Sequence, residues 1–208
     1  MKIYEHKNLP NPLRVRIALE EKNATSAIQF IQVNVIAGEC RTPDFITKNP
    51  LAAVPVLELS DGTFISECSA IIDYIDNAFE GPSLNGETAK EKAVITMFQR
   101  RAEAQVLDAF SAGFHHGTDG LGPELETYQN KGWGLHQINQ ALSALNYFDK
   151  VLAVNDFVAG DKFSVADITL YAGIALGAFS KSSVPAECTN VLAWHERMKN
   201  RPSIINQG

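Results

Sequence analysis

Up to about residue 80 the apolar positions switch between strand-like and helix-like spacing, and beyond it the strand patterns stop. Residues 2–4 predict a short strand, followed by a loop over 5–11. Asn11 is a good helix N-cap and Pro12 suits a first helical position. Leu13, Val15, Ile17, Ala18 and Leu19 then predict a helix running to about Lys22. β-Branched residues alternate over 28–36, predicting a second strand, and Thr42 opens a short helix toward Thr47. Residues 54–59 predict a third strand, Asp61-Gly62 a hairpin turn, and 63–65 an antiparallel return. A helix follows at once, with Ser66 as its expected cap and Ala70, Ile71, Tyr74 and Ile75 on its buried side.

Residues 80–87 concentrate Gly, Pro and polar side chains, predicting a linker between a domain at 1–79 and another at 88–208. Thr88 and Glu91 make a capping-box pattern opening a long helix. Leu135, Ile138, Leu142, Leu145, Phe148 and Leu152 recur at helical spacing. Ser164 and Asp167 make a second capping pattern, and a last helix around 192–200 stops before Pro202. An α/β half followed by an all-α half is the fold class these patterns define.

Composition changes this picture mainly by exclusion. Apolar residues at 45% and charged ones at 20% over 208 residues suit a globular protein with a sizeable core. A net charge of −6 and the lack of any Lys/Arg-rich run argue against nucleic acid as a partner. The segment 1–9 has no apolar stretch of signal-peptide length, and the apolar run 168–179 is too short for a membrane span. A cytoplasmic protein is therefore expected. The three cysteines, Cys40, Cys68 and Cys188, lie far apart without C-x-x-C spacing, which disfavours a disulfide framework, a dithiol pair or a zinc site. The adjacent His115 and His116 do not form a metal-binding pattern, so no metal is expected. Nor is there a Gly-rich nucleotide loop.

Several stretches, in order, carry a family resemblance. These are Arg14-Val-Arg-Ile, Asn49-Pro50, Val54-Pro55-Val56-Leu57, Asp61-Gly62, Glu67-Cys68-Ser69-Ala70-Ile71, Val158-Ala-Gly-Asp, Phe163-Ser-Val-Ala-Asp-Ile-Thr and Arg201-Pro202-Ser203. Together they resemble the glutathione transferases, over nearly the whole chain. Gly38-Glu39, Thr42-Pro-Asp-Phe and His115-His116 are similar to the yeast-type and bacterial branch. The end at Gly208 implies that a C-terminal tail of some relatives is missing. The resemblance implies a thioredoxin-like first domain, an all-α helical bundle as the second, and a homodimer, with Phe98, Arg100 and Arg101 as candidate contributors. It also implies glutathione as co-substrate with no resident cofactor.

For the glutathione site, the resemblance implies a cis peptide at Val54-Pro55 that turns the Val54 backbone toward the tripeptide; read alone, that Pro also fits a tolerant edge strand. Pro55 thus marks the site. Glu67 keeps the family's acid, and Cys68 stands at its Ser position, acting through its backbone N–H or with help from Ser69. Lys48 and Arg41 are candidates to meet the glycine carboxylate, although both read first as solvated surface charges.

The thiol-activating residue is missing from its usual place. Lowering a thiol pKa from about 8.5 to near 6.5 needs roughly 2.7 kcal/mol of selective stabilisation. The family puts a Tyr, Ser or Cys after strand one, where this chain reads His6-Lys-Asn-Leu-Pro-Asn-Pro12, and Tyr4 lies inside the strand. Two substitutes are expected: Asn11 at the start of helix one, and Ser111 with His115 on the first long helix of the second domain, with Asp108 orienting the imidazole. Phe114 and His116 are candidates for the electrophile pocket. The expected activity is addition of the glutathione thiolate to small hydrophobic electrophiles. Other readings are a glutathione-dependent isomerase, peroxidase or dehalogenase, or a non-catalytic glutathione-binding scaffold.

Overall fold

The computed structural model describes residues 1–207, which divide into compact units at Met1–Pro82 and Ser83–Asn206. The division falls within the Gly- and Pro-rich stretch. In the first unit, β1 (Lys2–Glu5), α1 (Pro10–Glu21), β2 (Gln29–Gln32), α2 (Pro43–Ile46), β3 (Val56–Glu58), β4 (Phe64–Ile65) and α3 (Cys68–Ala78) follow in that order. The four-stranded sheet runs β2-β1-β3-β4, with β1–β2 parallel and the other pairs antiparallel. Ile3 of β1 pairs with Phe30 and Leu57, which fixes the register across the sheet centre.

The core of this unit has a simple origin in the sequence. Ile3 and Leu57 on the strands, Ile17 and Leu19 on α1, and Ile71, Ile72 and Ile75 on α3 are all fully buried. Burying one such side chain contributes roughly 1.5–3 kcal/mol. Strand β2 is shorter than the run of β-branched residues predicts. Val33 N–H still donates to Glu5 O at 2.7 Å, but Ala37 N–H then turns back to Asn34 Oδ1 at 3.0 Å. Gly38 completes the turn at φ 75°, so local turn chemistry ends the strand although Val33 and Val35 remain buried. At the far end, buried Lys22 pairs with Asp76 at 3.0 Å and also donates to Pro82 O at 3.2 Å. That contact ties α1, α3 and the last residues of the unit together.

The second unit is helical: α4 (Ala89–Ala102), a π-helical turn (Glu103–Leu107), α5 (Asp108–Gly117), α6 (Lys131–Leu152), α7 (Val165–Phe179), α8 (Thr189–Lys199) and α9 (Pro202–Ile205). Both predicted capping boxes are present, Thr88 with Glu91 and Ser164 with Asp167. Asp167 is completely buried and accepts from Val158 N–H, Ser164 N–H, Ser164 Oγ–H and Trp194 Nε1–H at 2.9–3.1 Å. It therefore joins the start of α7 to α8 and to the preceding loop.

Helices α5 and α6 approach closely through glycine. A Cβ on Gly134 would lie 2.2 Å from Gly117 N, and one on Gly113 would lie 2.4 Å from an Ile138 carbon. Gly113 weakens a helix by propensity, yet this contact requires it. Among the described residues no helix is long and apolar enough to cross a membrane.

Candidate active site

In the first unit, Glu67, Cys68 and Ser69 lie at the start of α3, which meets the start of α1 at Asn11, and Val54-Pro55 leads into β3. The Val54-Pro55 peptide is cis, and the β1–β3 ladder begins at Tyr4 and Val56, leaving Val54 ahead of the paired strand. Pro55 is buried beneath it. Asn49 shapes the approach: buried, it donates to Ala53 O at 2.9 Å and accepts from Leu51 N–H at 3.1 Å, around Ala52 at φ 54°. In the sequence Asn49-Pro50 is legible only as a motif. The residue's role is to set the loop that delivers Val54.

Glu67 is exposed and holds φ 67°, ψ 120° immediately before α3. A non-glycine residue there costs on the order of 1–3 kcal/mol, and such strain concentrates at ligand clamps. Ser66 is not the cap expected from the sequence. Glu67 occupies that position, and its carbonyl accepts the first ladder bond from Ile71 N–H at 2.9 Å. Cys68 is buried and its thiol donates to Asn11 O at 3.4 Å, so the side chain is directed into the protein. Of the two routes expected for Cys68, the geometry leaves its backbone N–H at the helix start. Ser69 lies half-buried in the same first turn.

Asn11 is not the helix cap that the sequence predicts. Helix α1 begins two residues earlier than expected, at Pro10, with Leu9 as its extended N-cap and no side-chain cap. The Asn11 side chain accepts from Arg14 at 3.3 Å instead. The reason is that two prolines fit the first turn, where a missing N–H does no harm. Pro10 and Pro12 have none, and Leu13 N–H already donates to Leu9 O at 3.1 Å. Asn11 N–H is thus the one backbone donor of this first turn outside the helix ladder. Tyr4, set aside in the sequence, is unsuited to thiol activation: burial and its 2.5 Å hydrogen bond to Glu58 push its pKa up to about 12.

In the second unit, Ser111, Phe114, His115 and His116 all lie on α5. Ser111 is half-buried, and its hydroxyl makes no hydrogen bond among the described residues. The carboxylate at the His115 ring is Glu126, not Asp108: Nδ1 and Oε1 are 2.7 Å apart. Asp108 lies two helical turns away from His115 along α5, whereas the loop 118–130 folds back and brings Glu126 to the ring. Leu121 N–H donates to the same Glu126 oxygen at 2.9 Å, and Gln129 donates to His115 O and Thr118 O. Burial raises the Glu126 pKa, but the Leu121 N–H and His115 outweigh it and hold the carboxyl below its ordinary range.

Phe114 packs edge-on against His115 and against half-exposed Phe179 of α7, giving an apolar wall beside the imidazole. Phe179 was not singled out in the sequence, because helix-end phenylalanines carry no motif. His116 departs from its expected place in that wall. Its Nδ1 accepts from Asn130 N–H at 3.2 Å and its ring meets Tyr128, so it secures the start of α6.

Comparisons with known proteins identify the family. The family model described as glutathione S-transferase, N-terminal domain matches residues 10–78, and that for the C-terminal domain matches 136–206. The chain belongs to the glutathione S-transferase family and is a glutathione transferase with that family's fold, a small mixed sheet followed by a helical domain. It is 52% identical to glutathione S-transferase 2 of Saccharomyces cerevisiae, over 98% of this chain and 88% of the relative. The crystal structure of Gtt2 from Saccharomyces cerevisiae superposes with a TM-score of 0.98 at 51% identity, covering all of both chains. A glutathione S-transferase domain-containing protein of Marinobacter aquaeolei superposes at 0.97 and 53% identity, covering 98% of this chain and 100% of that one.

Proposed function

We propose that this glutathione transferase adds the glutathione thiolate to small hydrophobic electrophiles, without a resident cofactor. The observation that carries the reading is the junction at Cys68 and Asn11, where the starts of α3 and α1 are tied together beside strained Glu67. Two helix N-termini at one place favour an anionic ligand through their N–H groups and positive dipole ends. In this reading Val54 pairs with the peptide backbone of glutathione, with Pro55 fixing its turn. Glu67 takes the ligand's amine, and the Cys68 and Ser69 end of α3 takes a carboxylate.

Thiol activation is assigned to Asn11 N–H together with Ser111 and His115. A helix terminus supplies typically 0.3–1 kcal/mol, well below the roughly 2.7 kcal/mol required, so the α5 pair provides the remainder. Phe114 and Phe179 line the electrophile pocket. Exposed Leu51 and Phe64 in the first unit and Met97 in the second supply apolar surface for a homodimer. Arg101 engages Tyr147 and Arg100 pairs with Glu103 within the chain, so these arginines are set aside as its main contributors. A cytoplasmic location is part of the same proposal.

The test is steady-state kinetics with a nitroaryl electrophile. Ser111→Ala combined with His115→Ala lowers kcat/KM by about a hundredfold or more. An unchanged kcat/KM in the double variant sinks the activation scheme.

A further inference from the structure

His115 and His116 are sequence neighbours, yet the loop 118–130 presents them with opposite partners. His115 Nδ1 faces a carboxylate oxygen, which only accepts, at 2.7 Å. His116 Nδ1 faces the Asn130 N–H, which only donates, at 3.2 Å. The hydrogen on each ring follows from its partner. A neutral His115 must carry hydrogen on Nδ1, leaving a lone pair on Nε2. His116 must carry hydrogen on Nε2, and its lone pair is already used.

We propose that Glu126 is the positioning residue of His115, holding its ring in the Nδ1–H form so that Nε2 is the proton acceptor, while Asn130 holds His116 in the opposite form. This rests on the reading of His115 as a thiol-activating group. Nε2 of His115 has no partner among the described residues, and the side chain is 39% exposed, so the lone pair is accessible. In the proton step the S–H bond of glutathione breaks and its proton forms Nε2–H, directly or through one water. The sulfur keeps the electron pair, and Glu126 is the counter-charge of the imidazolium that results.

The Glu126 carboxylate is itself held in place. It accepts from Leu121 N–H, and it lies over Gly120, where a Cβ would come within 2.3 Å of Oε1. Gly120 also sits at φ 55°. The titratable neighbours acting on Glu126 are His115 and His116. No other carboxylate is within bonding distance of His115 among the described residues, so no second group replaces Glu126.

The first measurement is long-range ¹H–¹⁵N NMR of the wild-type protein at neutral pH, with peaks assigned through His115→Ala and His116→Ala. It should show His115 protonated on Nδ1 and His116 on Nε2. The second is kinetics of Glu126→Gln, which keeps an acceptor for Leu121 N–H but loses the charge. Its kcat should fall roughly tenfold, part of the ~10²–10⁴ that a positioned base supplies. KM for glutathione should stay within about twofold, and Glu124→Gln, exposed on the same loop, should behave as wild type.

A His115 protonated on Nε2 overturns the proposal, as does wild-type kcat in Glu126→Gln when His115→Ala is slow. If His115→Ala is itself as fast as wild type, the activation reading fails, and the spectrum alone decides what Glu126 does. Should Glu126→Gln not fold, the wild-type spectrum remains the deciding result.

Discussion

The thiol of Cys68, the first residue of α3, donates to the backbone carbonyl of Asn11, the second residue of α1, at 3.4 Å. A side chain spent on that contact is turned away from any ligand at the helix start. Cys68→Ser should therefore leave KM for glutathione within about twofold, because the backbone N–H is unchanged and the hydroxyl can still donate. Cys68→Ala should lose about 0.5–1.5 kcal/mol of stability in urea unfolding. A tenfold rise in KM for either variant would mean that the side chain contacts glutathione.

Tyr4→Phe tests the other half of the activation argument. The hydroxyl is committed to Glu58 and its pKa is about 12, so kcat should remain near wild type with a nitroaryl electrophile. The loss should appear in stability instead, at about 1 kcal/mol. A large fall in kcat would restore a tyrosine mechanism.

Asp167 makes stability depend on pH in a defined direction. Burial raises its folded pKa from 3.8 to about 6, against the opposing pull of its Val158, Trp194 and Ser164 donors. The folded chain then binds a proton that the unfolded chain has released between those values. The stability from this group is complete below about pH 4, declines as pH rises through 6, and is level above, by roughly 3 kcal/mol in all. Comparing wild type with Asp167→Asn isolates it from the carboxylates whose pKa is lowered. The advantage of wild type over the variant, measured by urea unfolding, should shrink between pH 4.5 and 7.

Gly134→Ala places a methyl 2.2 Å from Gly117 N and 2.6 Å from Gly117 Cα, both backbone atoms with no rotamer to escape into. It should cost on the order of 1–3 kcal/mol in thermal unfolding. Two residues away, a Cβ on Gly132 meets only Asn130 Oδ1 at 3.5 Å, and Gly132→Ala should gain about 0.5–1 kcal/mol from helix propensity.

The features that the sequence disclosed are those written within one helical turn. Thr88 with Glu91 and Ser164 with Asp167 are three residues apart, so side chain and backbone partner are read together. Asn11 misled because asparagine is a good cap, while the run Pro10-Asn11-Pro12 admits an earlier start that local preference does not rank. Glu126 was out of reach for a different reason. It is eleven residues from His115, brought back by a loop whose turns use Gly120 and Gly122 at positive φ, and no periodicity encodes that return. Helical arithmetic points instead to Asp108, an acid on the same helix. Asn49 was visible as a letter in a motif but not as the clasp on Ala53 O.

The π-helical turn Glu103–Leu107 separates the capped start of α4 from the segment that carries Ser111 and His115. Each residue advances an α-helix by about 100°. The turn accommodates one residue more than an α-helical ladder would need there, and so sets the angular phase of everything after it. Winding the same residues as regular α-helix, with none removed, would rotate α5 by more than a quarter turn. Gly113 and Gly117 would leave α6, buried Phe110 would leave the core, and His115 would swing away from Glu126.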